Sequence, residues 1–465
     1  MQATDEKIKN PSTYPLVDRW YKTDWLKRRE FCSKKSATVQ TRYKEILFLI
    51  PLMVLIFGLT TPFNFSWSQE VKSIESGHAA TNTVEKTHQG NTGRRVGLLL
   101  LGIYGVAVLS KTRHRIRINT PEGILAITYM GWALLSLTWS MDTIFTLRRV
   151  TTFYILCIAA LATAQRYSIR EIALLATGVC SITAFLALGT ELRLNTIELS
   201  NPTWRFSGIF HPVAMGWNCG FLVLVASFLL TDEKSMLRRL VLYLVILSAF
   251  ILLLLTKTRM AVASTLICMA LYWFRILSGS KKAFLVLLPT IALCLSYLAF
   301  GNQILSYFGV AANLGRDEVA QESVSTLTGR IPLWEECLKW AQKRPIVGYG
   351  FNTFINAQNI DTIYRNVGWR PNSVHSGYVD ALMGLGFVGA AMLIFFLIAA
   401  LARAYRLSLH HREYIFIMVA LLWLYHNLFM AVELITRPFF MTFFFLVLLA
   451  RLAFLPDPDW KRRSI

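Results

Sequence analysis

Five arginines stand close to the ends of long apolar runs: Arg149, Arg205, Arg259, Arg330 and Arg437, with Arg148 and Lys257 beside two of them. Taken one at a time, each can be read as a side chain that snorkels its guanidinium to lipid phosphates. As a set they suit a diphosphate, because planar forks with five donors grip its oxygens bidentately and stay charged at every relevant pH. Fixed cations would also stabilise a diphosphate leaving group as it gains negative charge. Arg259 lies in Leu255-Thr-Lys-Thr-Arg259, a nearly loopless junction between two apolar runs, and must point into a bundle mouth or into water. Arg330 follows Thr328-Gly329, whose glycine permits a tight turn and close backbone approach to a ligand.

His375 lies in Pro371-Asn-Ser-Val-His-Ser-Gly-Tyr-Val-Asp380, just before the run Gly384-Leu-Gly-Phe-Val-Gly389. Imidazole titrates near neutrality, so a histidine at the water edge above a packed helix could deprotonate a hydroxyl. It could equally be a hydrogen-bonding cap of the helix that follows. His211 and Tyr378 stand near these groups as supporting candidates, together with Arg149 and Arg437.

The acids on the same side of the chain, among them Glu191, Glu335, Glu336, Asp361 and Asp380, are not spaced like a Mg²⁺ or Mn²⁺ ligand set. The seven cysteines contain no Cys-x-x-Cys pair and read as packing residues. No metal and no cofactor is expected.

These groups need elements to hold them, and the elements are apolar. Of 465 residues, 54% are hydrophobic and 16% charged, where a soluble domain carries roughly 25% charged residues. The expectation is an all-α integral membrane protein with about twelve transmembrane helices, at 46–60, 96–110, 123–140, 150–164, 172–190, 213–230, 240–256, 261–277, 283–301, 385–402, 415–433 and 439–455. A net charge of +21 would suggest nucleic acid in a soluble chain. In a membrane chain the bases first set orientation, and no nucleic-acid partner is expected. Bases concentrated in short segments such as Lys111-Thr-Arg-His-Arg-Ile-Arg117 place both termini inside, with residues 1–45 a basic cytoplasmic segment and 456–465 a cytoplasmic tail. No cleaved signal is expected, since the first apolar run begins only at Ile46. Spans one to nine fill 46–301 and spans ten to twelve fill 385–455. Between them, 302–384 forms a long outer loop, the longest of three substantial outer segments with 61–95 and 191–212. Its centre, Pro332 to Ala341, has apolar residues at helical spacing, with Pro332 in the first turn and Pro345 beyond the end, and is expected to lie on the outer interface.

Several segments together resemble a known family. They are Arg205-Phe-Ser-Gly208 with His211-Pro212, Thr258-Arg259, Thr328-Gly-Arg330 leading to Trp334, Gly348-Tyr-Gly-Phe351, and His375-Ser-Gly-Tyr378 ahead of Gly384-Leu-Gly-Phe-Val-Gly389. In this order they resemble the O-antigen ligase and O-antigen or exopolysaccharide polymerase superfamily of bacterial inner-membrane glycosyltransferases, over roughly residues 200–400. The resemblance implies a metal-independent enzyme of the glycosyltransferase-C kind, working at the periplasmic face on glycans carried by undecaprenyl diphosphate. It implies Arg205 and Arg259 as diphosphate contacts, Arg330 as a third, and His375 beside the acceptor hydroxyl. Many members have His-Asn where this chain has His375-Ser376, and Ser-Arg where it has Thr258-Arg259.

On that reading the arginines hold an undecaprenyl-diphosphate-linked oligosaccharide while His375 deprotonates a hydroxyl of an acceptor glycan or glycolipid. The oxygen attacks the anomeric carbon from the opposite face, and inversion follows because no carboxylate is placed as a nucleophile. Joining repeat units (polymerase) is favoured by the Val374-His-Ser-Gly-Tyr378 and Gly-Tyr-Gly-Phe segments, and transfer to lipid A core (ligase) is the alternative. A secondary transporter also has about twelve spans, but two related halves and helices broken at the midplane are its usual marks, and no such repeat is visible.

Overall fold

The computed structural model describes residues 50–56, 92–112, 116–199, 201, 204–208, 210–277, 279, 330–369, 371, 373–430 and 440–458. The chain divides into Met1–Val54 and Leu55–Ile465. Residues 50–54 of the first unit are helical, and the architecture below is that of the second. Residues 1–49, 57–91, the apolar run at 283–301, residues 302–329, Arg437 and the residues from 459 lie outside the described residues.

The described elements are helices: α1 (Thr92–Lys111), α2 (Pro121–Leu135), α3 (Thr143–Arg166), α4 (Ile169–Arg193), α5 (Pro212–Thr231), α6 (Met236–Leu255), α7 (Arg259–Ile276), α8 (Arg330–Lys343), α9 (Ala357–Val367), α10 (Gly377–Ser408), α11 (Arg412–Leu428) and α12 (Phe440–Phe454). Six of them, α3 to α7 and α10, are long and apolar enough to cross a membrane. The runs at 96–110, 123–140, 415–433 and 439–455 correspond to α1, α2, α11 and α12, while the run at 46–60 is described only over 50–56.

Sequence pattern decides which helices are central. α5 and α12 are apolar all round, as a helix must be when no face meets water or a charged neighbour, and nearly every residue of both is buried. Their rings meet α11 in one cluster, with Phe221 5.0 Å from Phe445 and Trp423 stacked 5.9 Å from Phe445. α6 does the opposite, leaving Leu237, Leu240, Val241, Leu244, Leu247 and Ile251 exposed on its outer face.

The connections sort helix ends into two sets. One end is tied by Arg117 N–H to the Phe454 carbonyl at 2.8 Å, by Arg451 to the carbonyls of Ala164 and Tyr167, and by Arg275 to Ser408 Oγ. Here the buried Arg403 ion-pairs with the buried Glu122 at 3.7 Å and with Asp457 at 2.8 Å. Glu233 pairs with Arg170 and Arg238. The other end gathers 136–142, 194–199, 204–208, 256–258, 344–369, 373–376 and 429–430, and holds every sequence-predicted site residue that is described.

α10 begins at Gly377, eight residues before the apolar run expected at 385, because the Ser376 side chain caps it by accepting from Val379 N–H. It then breaks at Gly386 (φ 68°, ψ −171°), a backbone state open in practice only to glycine. A Cβ there would sit 2.2 Å from the Ile346 carbonyl oxygen. The break frees carbonyls inside an apolar helix, where each must find another donor. Tyr349 N–H takes the Met383 carbonyl at 2.9 Å, Gly350 N–H takes that of Gly384 at 2.9 Å, and the Trp132 indole takes that of Leu385 at 3.0 Å. In return Phe387 N–H donates to the Pro345 carbonyl at 2.8 Å. The two glycine-bearing segments of the sequence are therefore one interlocked unit.

Candidate functional site

The segment 204–208 is pinned from two sides. Phe206 is buried, and its N–H donates to the Leu255 carbonyl at 2.9 Å, which sets the Arg205 loop against the α6–α7 junction. Arg205 then donates through Nε to the Thr256 carbonyl at 2.9 Å and through Nη2 to Thr258 Oγ1 at 3.2 Å. On its other side, Glu191 at the C-terminal end of α4 is 1% exposed and accepts from Ser207 N–H at 3.3 Å, Ser207 Oγ at 3.2 Å and Gly208 N–H at 3.0 Å. Thr196 Oγ1 also bonds it. Gly208 has φ 57°, and a Cβ on it would lie 2.3 Å from that of Ala187, so the close approach to α4 requires glycine.

Lys257 takes φ 50°, and the chain reverses between α6 and α7 within three residues. Thr258 stands at the N-cap of α7 but makes no side-chain cap bond. Its hydroxyl accepts from Arg205 instead and donates to the Pro212 carbonyl at 3.3 Å. Arg259, the first residue of α7, follows directly and is half-buried. Arg205 and Arg259 are thus neighbours through Thr258.

Arg330 opens α8, and its Nη1 contacts Met430 Sδ just past α11. One turn on, the Trp334 indole donates to the Val374 carbonyl at 2.9 Å, fixing the peptide beside His375. Val374 is fully buried in a small core with Leu333, Cys337, Tyr349, Phe354, Ile363 and Met383, which joins α8, α9, the 349–354 turn and α10. His375 has φ 54°, an uncommon state for a side-chain-bearing residue, and its N–H donates to Ser373 Oγ at 3.3 Å. Its ring lies 5.8 Å from that of Trp369. The cap reading of His375 is overturned, since Ser376 supplies the α10 cap.

α11 links the two halves of the site. Its Asn427 donates to Ser264 Oγ at 2.8 Å and its Trp423 to Thr265 Oγ1 at 3.1 Å, both on the first turns of α7. Its end meets α8 through the Trp334–Phe429 ring contact at 5.5 Å and meets α10 through Tyr378 Oη, which donates to the Tyr425 carbonyl at 3.2 Å. The Arg205–Thr258 contact and the segments that hold Arg330 and His375 therefore flank the same end of one helix.

The supporting candidates divide. Tyr378 is engaged in that interhelical bond. His211 is exposed and its Nδ1 accepts from Val213 N–H at 3.3 Å, which makes it the N-cap of α5. Arg149 lies 4.7 Å over the Phe145 ring on the first turns of α3, at the same end of the bundle. Arg437 is outside the described residues. Sequence reasoning treated Glu191 as one outer acid among many, because its partners lie sixteen and seventeen residues away with no recurring spacing.

Glu336 of α8 is also engaged, accepting from Trp340 Nε1 at 3.0 Å, Asn366 Nδ2 at 2.9 Å and Lys339 Nζ at 3.4 Å. Burial pushes its pKa up, but the hydrogen bonds from Asn366, Trp340 and Lys339 outweigh burial and hold the carboxyl below its ordinary value.

Comparison with known families bears on the same segments. Residues 242–394 match the family described as O-antigen ligase. The match covers a third of the chain and supports the O-antigen ligase superfamily, and with it a multi-pass membrane protein of glycosyltransferase type in O-antigen assembly. Within the O-antigen ligase match fall Arg259, Arg330, His375, Tyr378 and the Gly348–Gly386 interlock, whereas Arg205, His211 and Glu191 precede it. No curated protein matches the chain.

Proposed function

We propose that the chain is a metal-independent, inverting glycosyltransferase of the inner membrane. It takes undecaprenyl-diphosphate-linked glycans at the periplasmic face and joins them into O-antigen or exopolysaccharide chains. The observation that supports this most is the hydrogen bond from Arg205 to Thr258, the residue before Arg259, near the end of α11 where Arg330 and the segment before His375 also lie. Arg205, Arg259 and Arg330 hold the diphosphate, with Arg149 and Arg437 contributing to the same positive field. His375 takes the proton of an acceptor hydroxyl as that oxygen bonds to the anomeric carbon. The bond from that carbon to the diphosphate oxygen breaks, and undecaprenyl diphosphate leaves with the electron pair. No nucleophilic carboxylate is invoked, so the displacement is single and the product inverted. His211 and Tyr378 support the site through the α5 cap and the α10–α11 contact.

The acceptor distinguishes two forms of this reading. The segments Gly348-Tyr-Gly-Phe351 and Val374-His-Ser-Gly-Tyr378 favour another lipid-linked repeat unit, while the description of the matching family favours lipid A core. The test is reconstitution of purified protein with an undecaprenyl-diphosphate-linked oligosaccharide and either acceptor, in EDTA. Full turnover in EDTA, lost by at least about 100-fold in His375→Ala, is the expected result. Dependence on added divalent metal, or wild-type turnover by His375→Ala, would remove the corresponding part of the reading.

A further inference from the structure

At the C-terminal end of α8, remote from Arg330, the chain turns through Lys343, Arg344, Pro345 and Ile346. With Trp139 and Val347 these residues wall an open cavity of about 470 Å³. Its cations are held in position by aromatic and carbonyl groups. Arg344 donates through Nη1 to the Trp139 carbonyl at 3.4 Å and lies 5.3 Å from the Tyr349 ring centroid. Lys343 Nζ lies 4.9 Å over the Trp340 ring. The Trp139 indole is itself fixed, donating to the Val347 carbonyl at 2.8 Å with its ring 5.1 Å from that of Trp132. Neither Lys343 nor Arg344 forms an ion pair among the described residues, and the neighbouring Glu336 is occupied by Lys339, Trp340 and Asn366.

Beside the cations the cavity wall and the surface that adjoins it are apolar. Ile346 is 62% exposed, and Phe387, whose N–H bonds the Pro345 carbonyl, is 60% exposed. From Phe387 the apolar α10 continues toward the opposite end of the bundle. A pair of cations beside an indole, next to exposed hydrocarbon just past the Gly386 break of α10, has the layered polarity of a lipid: phosphate, then glycerol or prenyl carbon, then chain. A soluble anion would use the cations and leave Ile346 and Phe387 uncovered.

We propose that this cavity binds the phosphate headgroup of a membrane lipid. Lys343 and Arg344 take the phosphate oxygens, and Trp139, Ile346 and Phe387 cover the first carbons of its chains. The site is separate from the Arg330 and His375 groups, since Arg330 and Lys343 are the two ends of α8, which at 1.5 Å per residue spans about 20 Å. It does not rest on the glycosyltransferase reading and requires only that α10 crosses the bilayer.

The test measures lipid adducts on the full-length protein in detergent by native mass spectrometry, with dihexanoyl phosphatidic acid as probe. Dihexanoylglycerol, which lacks the phosphate, and inorganic phosphate, which lacks the chains, serve as comparisons. Phosphatidic acid should be retained at least ten-fold better than either. The Lys343→Gln/Arg344→Gln double variant should lose that retention ten-fold, and both side chains are exposed, so the fold is kept. Ile346→Glu leaves both cations in place but sets a carboxylate beside them, and should lower retention too. Arg365→Gln, an exposed base on α9, should bind as the parent does. Wild-type retention by the double variant, or equal binding of inorganic phosphate, overturns the proposal.

Discussion

The Glu191 carboxylate accepts the Gly208 amide proton at 3.0 Å, although seventeen residues of chain separate the two. With the Ser207 N–H and hydroxyl on the same oxygen, this carboxylate is the anchor of the loop that carries Arg205. Glu191→Ala would leave buried donors unpaired at about 1–3 kcal/mol. The expected outcome is a rise of roughly ten-fold or more in KM for the lipid-linked donor, with kcat and acceptor KM less affected. Glu191→Gln keeps an acceptor oxygen and should recover part of the loss. Equal effects on donor and acceptor would show that the contact serves general stability alone.

Thr258→Val tests the bridge between the two arginines. The substitution keeps shape but removes the hydroxyl that accepts from Arg205 and donates to the Pro212 carbonyl. One charged hydrogen bond is worth about 1.5–3 kcal/mol, so donor affinity should fall by about ten-fold or more while the thermal midpoint moves little. Unchanged donor titrations would detach Thr258 from the site.

His375→Asn separates backbone geometry from proton transfer. Asparagine tolerates the left-handed conformation that His375 adopts, so the variant should fold with the parent's thermal midpoint. Without an imidazole to take the acceptor proton, turnover should drop by about 10²–10⁴-fold with donor binding retained. Activity near the parent's level would assign the proton to another group.

Gly386→Ala should be destabilising for a reason internal to α10. Its Cβ would collide with the Ile346 carbonyl, and the φ of 68° with ψ −171° is strained for any other residue, by about 1–3 kcal/mol before the collision is counted. A lower thermal midpoint and reduced folded yield are expected, whereas Gly131→Ala, with open space around its Cβ, should be near neutral.

The Glu336 carboxyl predicts an acid sensitivity localised to α8 and α9. Its folded pKa lies below the ordinary carboxyl value, so its contribution is present above the unfolded value of about 4.3 and is lost as pH falls through the lower folded value. Hydrogen exchange at α9 should quicken below about pH 4 in the parent. Glu336→Gln should show faster exchange at neutral pH and little further change on acidification.

What the amino-acid order reveals follows from the range of each interaction. Apolar runs are local, and the helices from α1 to α7 and α10 to α12 lie where such runs were expected. The start of α8 was legible from Pro332 and helical spacing. α10 starts before its apolar run, because polar Ser376-Gly-Tyr-Val-Asp380 hides the first helical turn from a hydropathy reading. Non-local relations left no trace: Arg205 reaches Thr258 across 53 residues, and the Gly348 and Gly384 segments showed their glycines but not that they clasp each other. Pro212 was the readable sign of the role His211 takes in α5, since a proline at N1 marks the residue before it as a helix cap.

α12 comes after every other described helix in chain order, yet it is enclosed by α2, α3, α10 and α11 with almost no residue reaching the outside. The helices that precede it in the chain therefore cannot complete their shared interior until Phe440–Phe454 is in place. Final assembly is thus coupled to completion of this late segment, and a chain cut before Phe440 would leave the apolar faces of α2, α3, α10 and α11 without their shared partner.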